Sequence, residues 1–311
     1  MRLGPDALPH DCHRPGDPIQ PLKFAYRSGV WDLRQHARVV GILNLTPDSF
    51  YDAGRYATPE LALERAERMI AEGADGIDIG GQSTRPGGEP VGPEKEWRRI
   101  EPTLTLLRRR VQAPISIDTY HGEVARRALD CGADVVNDVT GLTADPEIAD
   151  HVAGAGAGLV LMHSLGASAD LHAPREYEDV AAEVCAFLER QVRVAESHGI
   201  APERIAVDPG IGFSKRAQQS IAALRGIPTL RELGRPVYVG VSRKSFLSAI
   251  TGQPAEERLA AGLGAALAAY FLGASIFRTH DVRATLDALR AAEALLGRAD
   301  SPAPLASEAG A

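Results

Sequence analysis

A single-domain (β/α)8 TIM barrel is the fold the sequence predicts, and three observations predict it. Short runs rich in Val and Ile alternate with longer amphipathic stretches along most of the chain. There are eight such runs, nearly continuous in apolar residues, as expected of parallel strands covered on both faces. Each run closes, at the same end, on a polar or ionisable residue. An open doubly wound sheet would show fewer units and one dominant Gly-rich first turn, and no GxGxxG opens a helix here.

The first run, RVVGILN (38–44), stops on Asn44. After a polar loop comes the helical stretch TPELALERAERMIAEG, with Thr58 as its N-cap and Gly73 just past its end. The second run, GIDIGG (76–81), enters the loop GGQSTRPGG. The third, APISIDT (113–119), ends at Asp118. The fourth, DVVNDV (134–139), ends at Asn137 and Asp138. The fifth, GLVLMH (158–163), ends at Met162 and His163 and precedes the helical stretch YEDVAAEVCAFLERQVRVAESHG. The sixth, RIAVDPG (204–210), ends at Asp208 and enters PGIGFSK. The seventh, PVYVGVS (236–242), ends at Ser242, Arg243 and Lys244. The eighth, ASIFRTH (274–280), ends at Arg278, His280 and Asp281. A device recurs in GADGIDIG, GADVVND and GASIFRT: Gly ends a helix, then Ala and a small polar residue lead into a strand. The expected organisation is an N-terminal arm over 1–37, the barrel over 38–297 and a flexible tail over 298–311.

Composition narrows the function. The chain has 311 residues, 44% hydrophobic and 24% charged, with a net charge of −7. That balance argues against a nucleic-acid surface, though a few local cations can still hold an anionic ligand. No apolar run of about 20 residues is present, so no membrane span is expected. Cys12, Cys131 and Cys185 fit no metal spacing. Their odd count suits a reducing compartment, and a cytoplasmic location is expected.

Barrel enzymes place their chemistry at the C-terminal ends of the strands. One strand-end Asp or Asn is explained as well by capping the next helix; eight polar ends at one mouth are not. They divide by chemistry. Asn44, Arg278 and His280 lie on strands that become neighbours when the barrel closes, with Thr84 and Arg85 on the next loop. Arg matches phosphate oxygens with paired hydrogen bonds, so this side suits a phosphate or diphosphate with Mg2+. Asp118, Asn137, Asp208 and Lys244 offer carboxylate, amide and ammonium groups suited to the edge of a flat nitrogen-rich heterocycle, with Met162 as apolar surface. His163 and Asp138 are expected to serve structure, and Arg243 to face outward and pair with an acid.

The motifs GILNLTPDSF, DIGGQSTRPG, SIDT, NDVTGL, LMH, DPGIGF, GVSRKSF and RTHDV, in this order, resemble those of the dihydropteroate synthases of folate biosynthesis over Val39 to Leu296. The resemblance implies condensation of 6-hydroxymethyl-7,8-dihydropterin diphosphate with 4-aminobenzoate, giving 7,8-dihydropteroate and diphosphate. It implies pterin binding by Asp118, Asn137, Met162, Asp208 and Lys244. Diphosphate would be held by Asn44, Thr84, Arg278 and His280, with Mg2+ at Asn44. Aminobenzoate would meet Phe50, Thr84, Arg85, Pro86, Phe213, Lys244 and Ser245, where sulfonamides would compete. The implied catalytic set is Asp118, Asp52 and Lys244, and the implied assembly is a homodimer.

The chain departs from the family pattern at Gln82, where Glu is usual, and at Gln219 and Ser220, where a His-Asn pair is usual. Tyr51 replaces a small residue and Ala53 a Gly in the first loop. Two other readings follow. One is a pterin-binding paralogue without synthase activity, motivated by Tyr51 and Ala53. The other is a pterin-dependent methyltransferase, which the STRPG, SRKSF and RTHDV segments argue against.

Overall fold

The computed structural model describes residues 22–46, 58–82, 91–165 and 171–297. The described part of the expected arm, 22–37, is not a plain lead-in. KFAYRSGVWD folds into an antiparallel hairpin, β1 (Lys23–Tyr26) and β2 (Gly29–Asp32), turning at Arg27 and Ser28. Phe24 and Trp31 pair across it, rings 5.9 Å apart, and are buried against Val40, Val135, Val160, Ala206, Tyr238 and Ile276. Those six come from six different barrel strands, so the hairpin plugs the N-terminal end of the barrel. Burying two such aromatics contributes roughly 1.5–3 kcal/mol each.

The barrel follows. Strand β3 (Arg38–Asn44) leads to helix α1 (Pro59–Ala71), capped by Thr58, whose side chain accepts the Leu61 N–H, with Gly73 at φ +102° beyond its end. Then come β4 (Gly76–Gly80), α2 (Pro93–Arg110), β5 (Ile115–Asp118), α3 (Gly122–Asp130), β6 (Val135–Asp138), α4 (Glu147–Ala155) and β7 (Gly158–Met162). The long α5 (Val180–Ser197) is capped by Asp179 and precedes β8 (Ile205–Asp208). After it come α6 (Ala217–Arg225), α7 (Ile227–Arg231), β9 (Tyr238–Val239), α8 (Ser245–Thr251), α9 (Leu259–Leu272), β10 (Ile276–Thr279) and α10 (Val282–Leu295).

The eight strands pair in parallel in the order β8-β7-β6-β5-β4-β3-β10-β9. A parallel bridge between Val207 and Val237, with Val207 N donating to Pro236 O at 2.9 Å, joins the two ends and closes the ring. Strand β9 covers only part of the run at 236–242, and Pro236 at its start has no N–H to donate. Where the hairpin enters β3, buried Glu293 of α10 accepts from His36 Nδ1 at 2.8 Å and Ala37 N at 2.7 Å, holding the first strand to the last helix.

Strand parity positions the site. Side chains alternate between the two faces of a strand. Ile77, Ile79, Ile115, Ile117, Val136, Leu159, Leu161 and Val207 point outward into the core shared with the helices. The inward set begins at the plug with Val40, Val135, Val160, Ala206, Tyr238 and Ile276. Two residues further along five of these strands stand Asn137, Met162, Asp208, Gly240 and Arg278. On β6, β8 and β10 one such step changes the lumen from greasy to polar.

Candidate active site

The polar layer is knit by one guanidinium. Arg278 donates from Nε to Asp78 Oδ2 at 2.6 Å and from Nη2 to Asp118 Oδ2 at 2.8 Å. Asn137 Nδ2 reaches the same Asp78 oxygen at 3.2 Å. Asp78 is completely buried, and Asp118 and Asn137 nearly so. Burial pushes the Asp118 carboxyl up to about 7; Arg278 opposes the rise, and Asp78 and Asp138 add to it. Arg278 was expected on the anion side and Asp118 on the heterocycle side. The structure joins them, so the two sides share this cation.

Asp208 closes β8 beside this cluster. Its Oδ1 accepts Gly210 N at 2.7 Å. Burial raises its pKa, opposed first by Lys244. Lys244, at the N-terminus of α8, donates to Ile211 O at 2.5 Å and sits 4.9 Å over the Phe213 ring. Burial lowers its ammonium to about 8, against the pull of Asp208. Three carboxylates (Asp78, Asp118, Asp208) thus face three cations (Arg278, Lys244 and Lys215, described below). Phe213 and Met162 form an apolar patch with Tyr120, Val139 and Leu171. Ser245 follows Lys244 as the first residue of α8 and is exposed.

Asn44 and His280 line the neighbouring arc. A Cβ on Gly80 would lie 3.5 Å from Asn44 Oδ1 and 3.7 Å from Asp118 Oδ2, so both oxygens face one small space that glycine leaves open. His280 is fixed by Ser242: its Oγ accepts the His280 N–H at 3.3 Å and lies 3.1 Å from Nδ1.

Asp52, Phe50, Thr84, Arg85 and Pro86, with Tyr51 and Ala53, lie outside the described residues. Gln82 is buried and donates through Nε2 to the Tyr120 hydroxyl, bracing the apolar patch. Gln219 Oε1 accepts Arg216 N at 2.6 Å and satisfies the start of α6, while Ser220 Oγ accepts Gly212 N at 3.2 Å and ties the helix to the loop after β8. Asp138 serves structure, accepting from Thr140 N at 2.8 Å and Leu142 N at 2.6 Å. Arg243 pairs with Asp281 at 2.6 Å.

Sequence reasoning missed Asp78 and Lys215. Asp78 lies mid-strand rather than at a strand end; its signal was a charge interrupting GIDIG, at the position that pairs with Ser116 of β5. Lys215 looks like an ordinary loop lysine, yet it is 5% exposed.

Residues 40–280 match the family model described as pterin binding enzyme. The dihydropteroate synthase of Synechocystis sp. is 44% identical over 267 residues, covering 86% of this chain and 92% of the relative. The structure of Burkholderia cenocepacia dihydropteroate synthase complexed with 7,8-dihydropteroate shares 42% identity at a TM-score of 0.80, covering 89% of this chain and 97% of that one. Xanthomonas albilineans dihydropteroate synthase with 4-aminobenzoic acid shares 41% at a TM-score of 0.80, covering 86% of this chain and 95% of that one.

Proposed function

The chain belongs to the dihydropteroate synthase family, and we propose from that premise how its own residues carry the reaction. The reaction joins 6-hydroxymethyl-7,8-dihydropterin diphosphate to 4-aminobenzoate, giving 7,8-dihydropteroate and diphosphate. The observation that carries the assignment of residues is the convergence of Asp118, Asn137, Asp208 and Lys244 on one lumen layer, with the Met162 and Phe213 patch beside it.

A flat pterin presents N–H donors and a ring carbonyl along its edge. Asp208 and Asp118 accept from it, Asn137 both donates and accepts, and Lys244 donates. Met162 covers the ring face. In the reaction the methylene C–O bond to diphosphate breaks, the arylamine nitrogen bonds to that carbon, and the nitrogen loses a proton. Positive charge grows on the pterin methylene as diphosphate leaves, and the ionised Asp118 stabilises it. Arg278 on β10 and His280 just beyond it attract the departing anion. The arylamine is a free base near neutral pH, so no strong general base is needed. Phe213, Lys244 and Ser245 receive the aminobenzoate, and sulfonamides compete there.

Among the described residues no cluster of three or more His, Cys, Asp or Glu could hold a metal ion. The oxygens of Asn44 and Asp118 that face the space at Gly80 are donors of the kind Mg2+ takes, an ion that keeps waters and phosphate oxygens as most of its ligands. Asn44 Oδ1 is the protein oxygen proposed to hold it, and the ion would neutralise charge on the leaving diphosphate.

Among the described residues no helix is long and apolar enough to cross a membrane. The proposed location is the cytoplasm, which Cys131 and Cys185 as free thiols suit. Helix α9 carries no charge from Leu259 to Leu272, and Leu259 and Phe271 are exposed, which supports a homodimer through this face. Light scattering on the eluted peak tests it: a monomer mass at micromolar protein would sink the dimer. The function itself is tested by assaying purified protein for diphosphate release that depends on both substrates.

A further inference from the structure

We propose that Lys215 is a positioning residue for the 4-aminobenzoate side of this reaction: it holds the loop after β8 in the shape that presents the Ile211 carbonyl and Phe213, without touching either substrate. The inference rests on the functional reading above.

The loop from Pro209 to Ser214 is unusually turned. Gly210, Gly212 and Ser214 all have positive φ, at +67°, +81° and +53°. A Cβ on Gly210 would fall 1.9 Å from His163 O, so the loop lies against the end of β7. Gly210 O and Ser214 O still accept from backbone, from Phe213 N and Arg175 N at 3.1 Å each, but Ile211 O, Gly212 O and Phe213 O are turned away from backbone partners and need other donors. Side chains supply them. Lys244 takes Ile211 O at 2.5 Å, His172 Nδ1 takes Gly212 O at 2.9 Å, and the Tyr177 hydroxyl donates to Ser214 O at 3.2 Å. Lys215 takes two at once, Gly210 O and Phe213 O, both at 3.1 Å. Its third proton goes to His163 Nδ1 at 2.8 Å. An ammonium has three protons, so all are placed.

Two lysines therefore grip one loop from different sides. Lys244 belongs to the substrate pocket, and a ligand that accepts its proton takes it from Ile211 O. Lys215 is buried and saturated, so its grip stays when Lys244 turns to substrate. It links Phe213, which stacks on His172 with ring centroids 4.7 Å apart, to the His163 end of β7, one residue from Met162. Burial lowers the Lys215 ammonium to about 7, opposed by Asp208, and holds neutral His163 down to about 3, which keeps Nδ1 an acceptor. A buried cation is costly unless paired and hydrogen-bonded, and a fold that needed only two carbonyls and an imidazole tied would not require a charge for it. Asp208 reads the pterin from the strand itself and depends on this loop less than Phe213 does.

The test uses the full chain as wild type, K215M and K215Q, with thermal melts and a KM for each substrate. The expected result is a 4-aminobenzoate KM raised at least about tenfold in K215M, a loss of about 1.4 kcal/mol. The rise should be smaller in K215Q, which keeps two N–H donors, and the pterin diphosphate KM should change less than about threefold in both. Folded variants with an unchanged 4-aminobenzoate KM, or with both KM values raised equally, would overturn the proposal. So would failure of both variants to fold, because a lysine required by the whole barrel does not serve one pocket. A wild type that makes no product would overturn the functional reading instead. Calorimetry of 4-aminobenzoate with wild type and K215M, in the presence of the pterin diphosphate, would then decide the Lys215 assignment by the same tenfold difference.

Discussion

Arg278 and Asp118 are joined by a 2.8 Å hydrogen bond inside the barrel, and the same guanidinium holds Asp78 at 2.6 Å. One cation thereby keeps two buried carboxylates together at the centre of the pocket. Arg278→Met strips both at once. Removing one partner of a buried pair costs about 3–5 kcal/mol, so urea unfolding of this variant should show a loss of that order. Arg278→Lys keeps the charge but lacks the fork that spans two carboxylates. It should recover part of the stability while activity stays down about 100-fold or more, an order set by two lost charge-assisted bonds. Full activity in Arg278→Lys would show that the fork is not needed.

The pH dependence follows from Asp118 and Lys244. Asp118 has a folded pKa raised from 3.8 to about 7. Its contribution to stability is full below about pH 3.8 and is lost as pH rises through about 7. Ligand binding runs the other way, since donors on the pterin and the growing positive charge want the ionised form. kcat/KM for the pterin diphosphate should fall below about pH 7, and fall again above about pH 8 as Lys244 loses its proton. Lys244→Arg, which stays charged, should abolish the alkaline fall. A flat profile between pH 5.5 and 9.5 would contradict both assignments.

Asp208→Ala should abolish pterin binding in calorimetry. The carboxylate is buried and fixed by Gly210 N, so it meets the ligand without reorganising. Two lost charge-assisted bonds, each worth about 1.5–3 kcal/mol, put the affinity loss at about 100-fold or more. A variant that binds within threefold of wild type would remove Asp208 from the pocket.

His280→Ala tests the anion side. Ser242 orients this imidazole from 3.1 Å, and β10 carries it beside Arg278. The variant should lose affinity for the pterin diphosphate by about tenfold, a typical loss for one hydrogen bond to a charged partner, and bind the dihydropteroate product almost as wild type. Equal losses for both ligands would place His280 elsewhere.

Much of this was legible before any coordinates. The eight apolar runs became the eight barrel strands, because continuous Val and Ile runs bury both faces, one against the helices and one in the lumen. Asp118, Asn137, Asp208, Lys244 and Arg278 were legible because strand ends on a barrel face one mouth. Asp78 was not, because inward parity puts a mid-strand residue in the same lumen and periodicity alone does not say which face is polar. Lys215 was hidden because two of its three partners are carbonyls, which carry no residue signature. The hairpin was hidden because the Pro-rich segment before it drew 22–37 into one irregular arm, although KFAY and GVWD alternate around a turn.

The measurement closest to the central claim is a reaction of the purified full chain with 6-hydroxymethyl-7,8-dihydropterin diphosphate, Mg2+ and 4-aminobenzoate. The account predicts 7,8-dihydropteroate and diphosphate in equal amounts, each requiring both substrates. Binding of the pterin diphosphate with no product at saturating 4-aminobenzoate would contradict it.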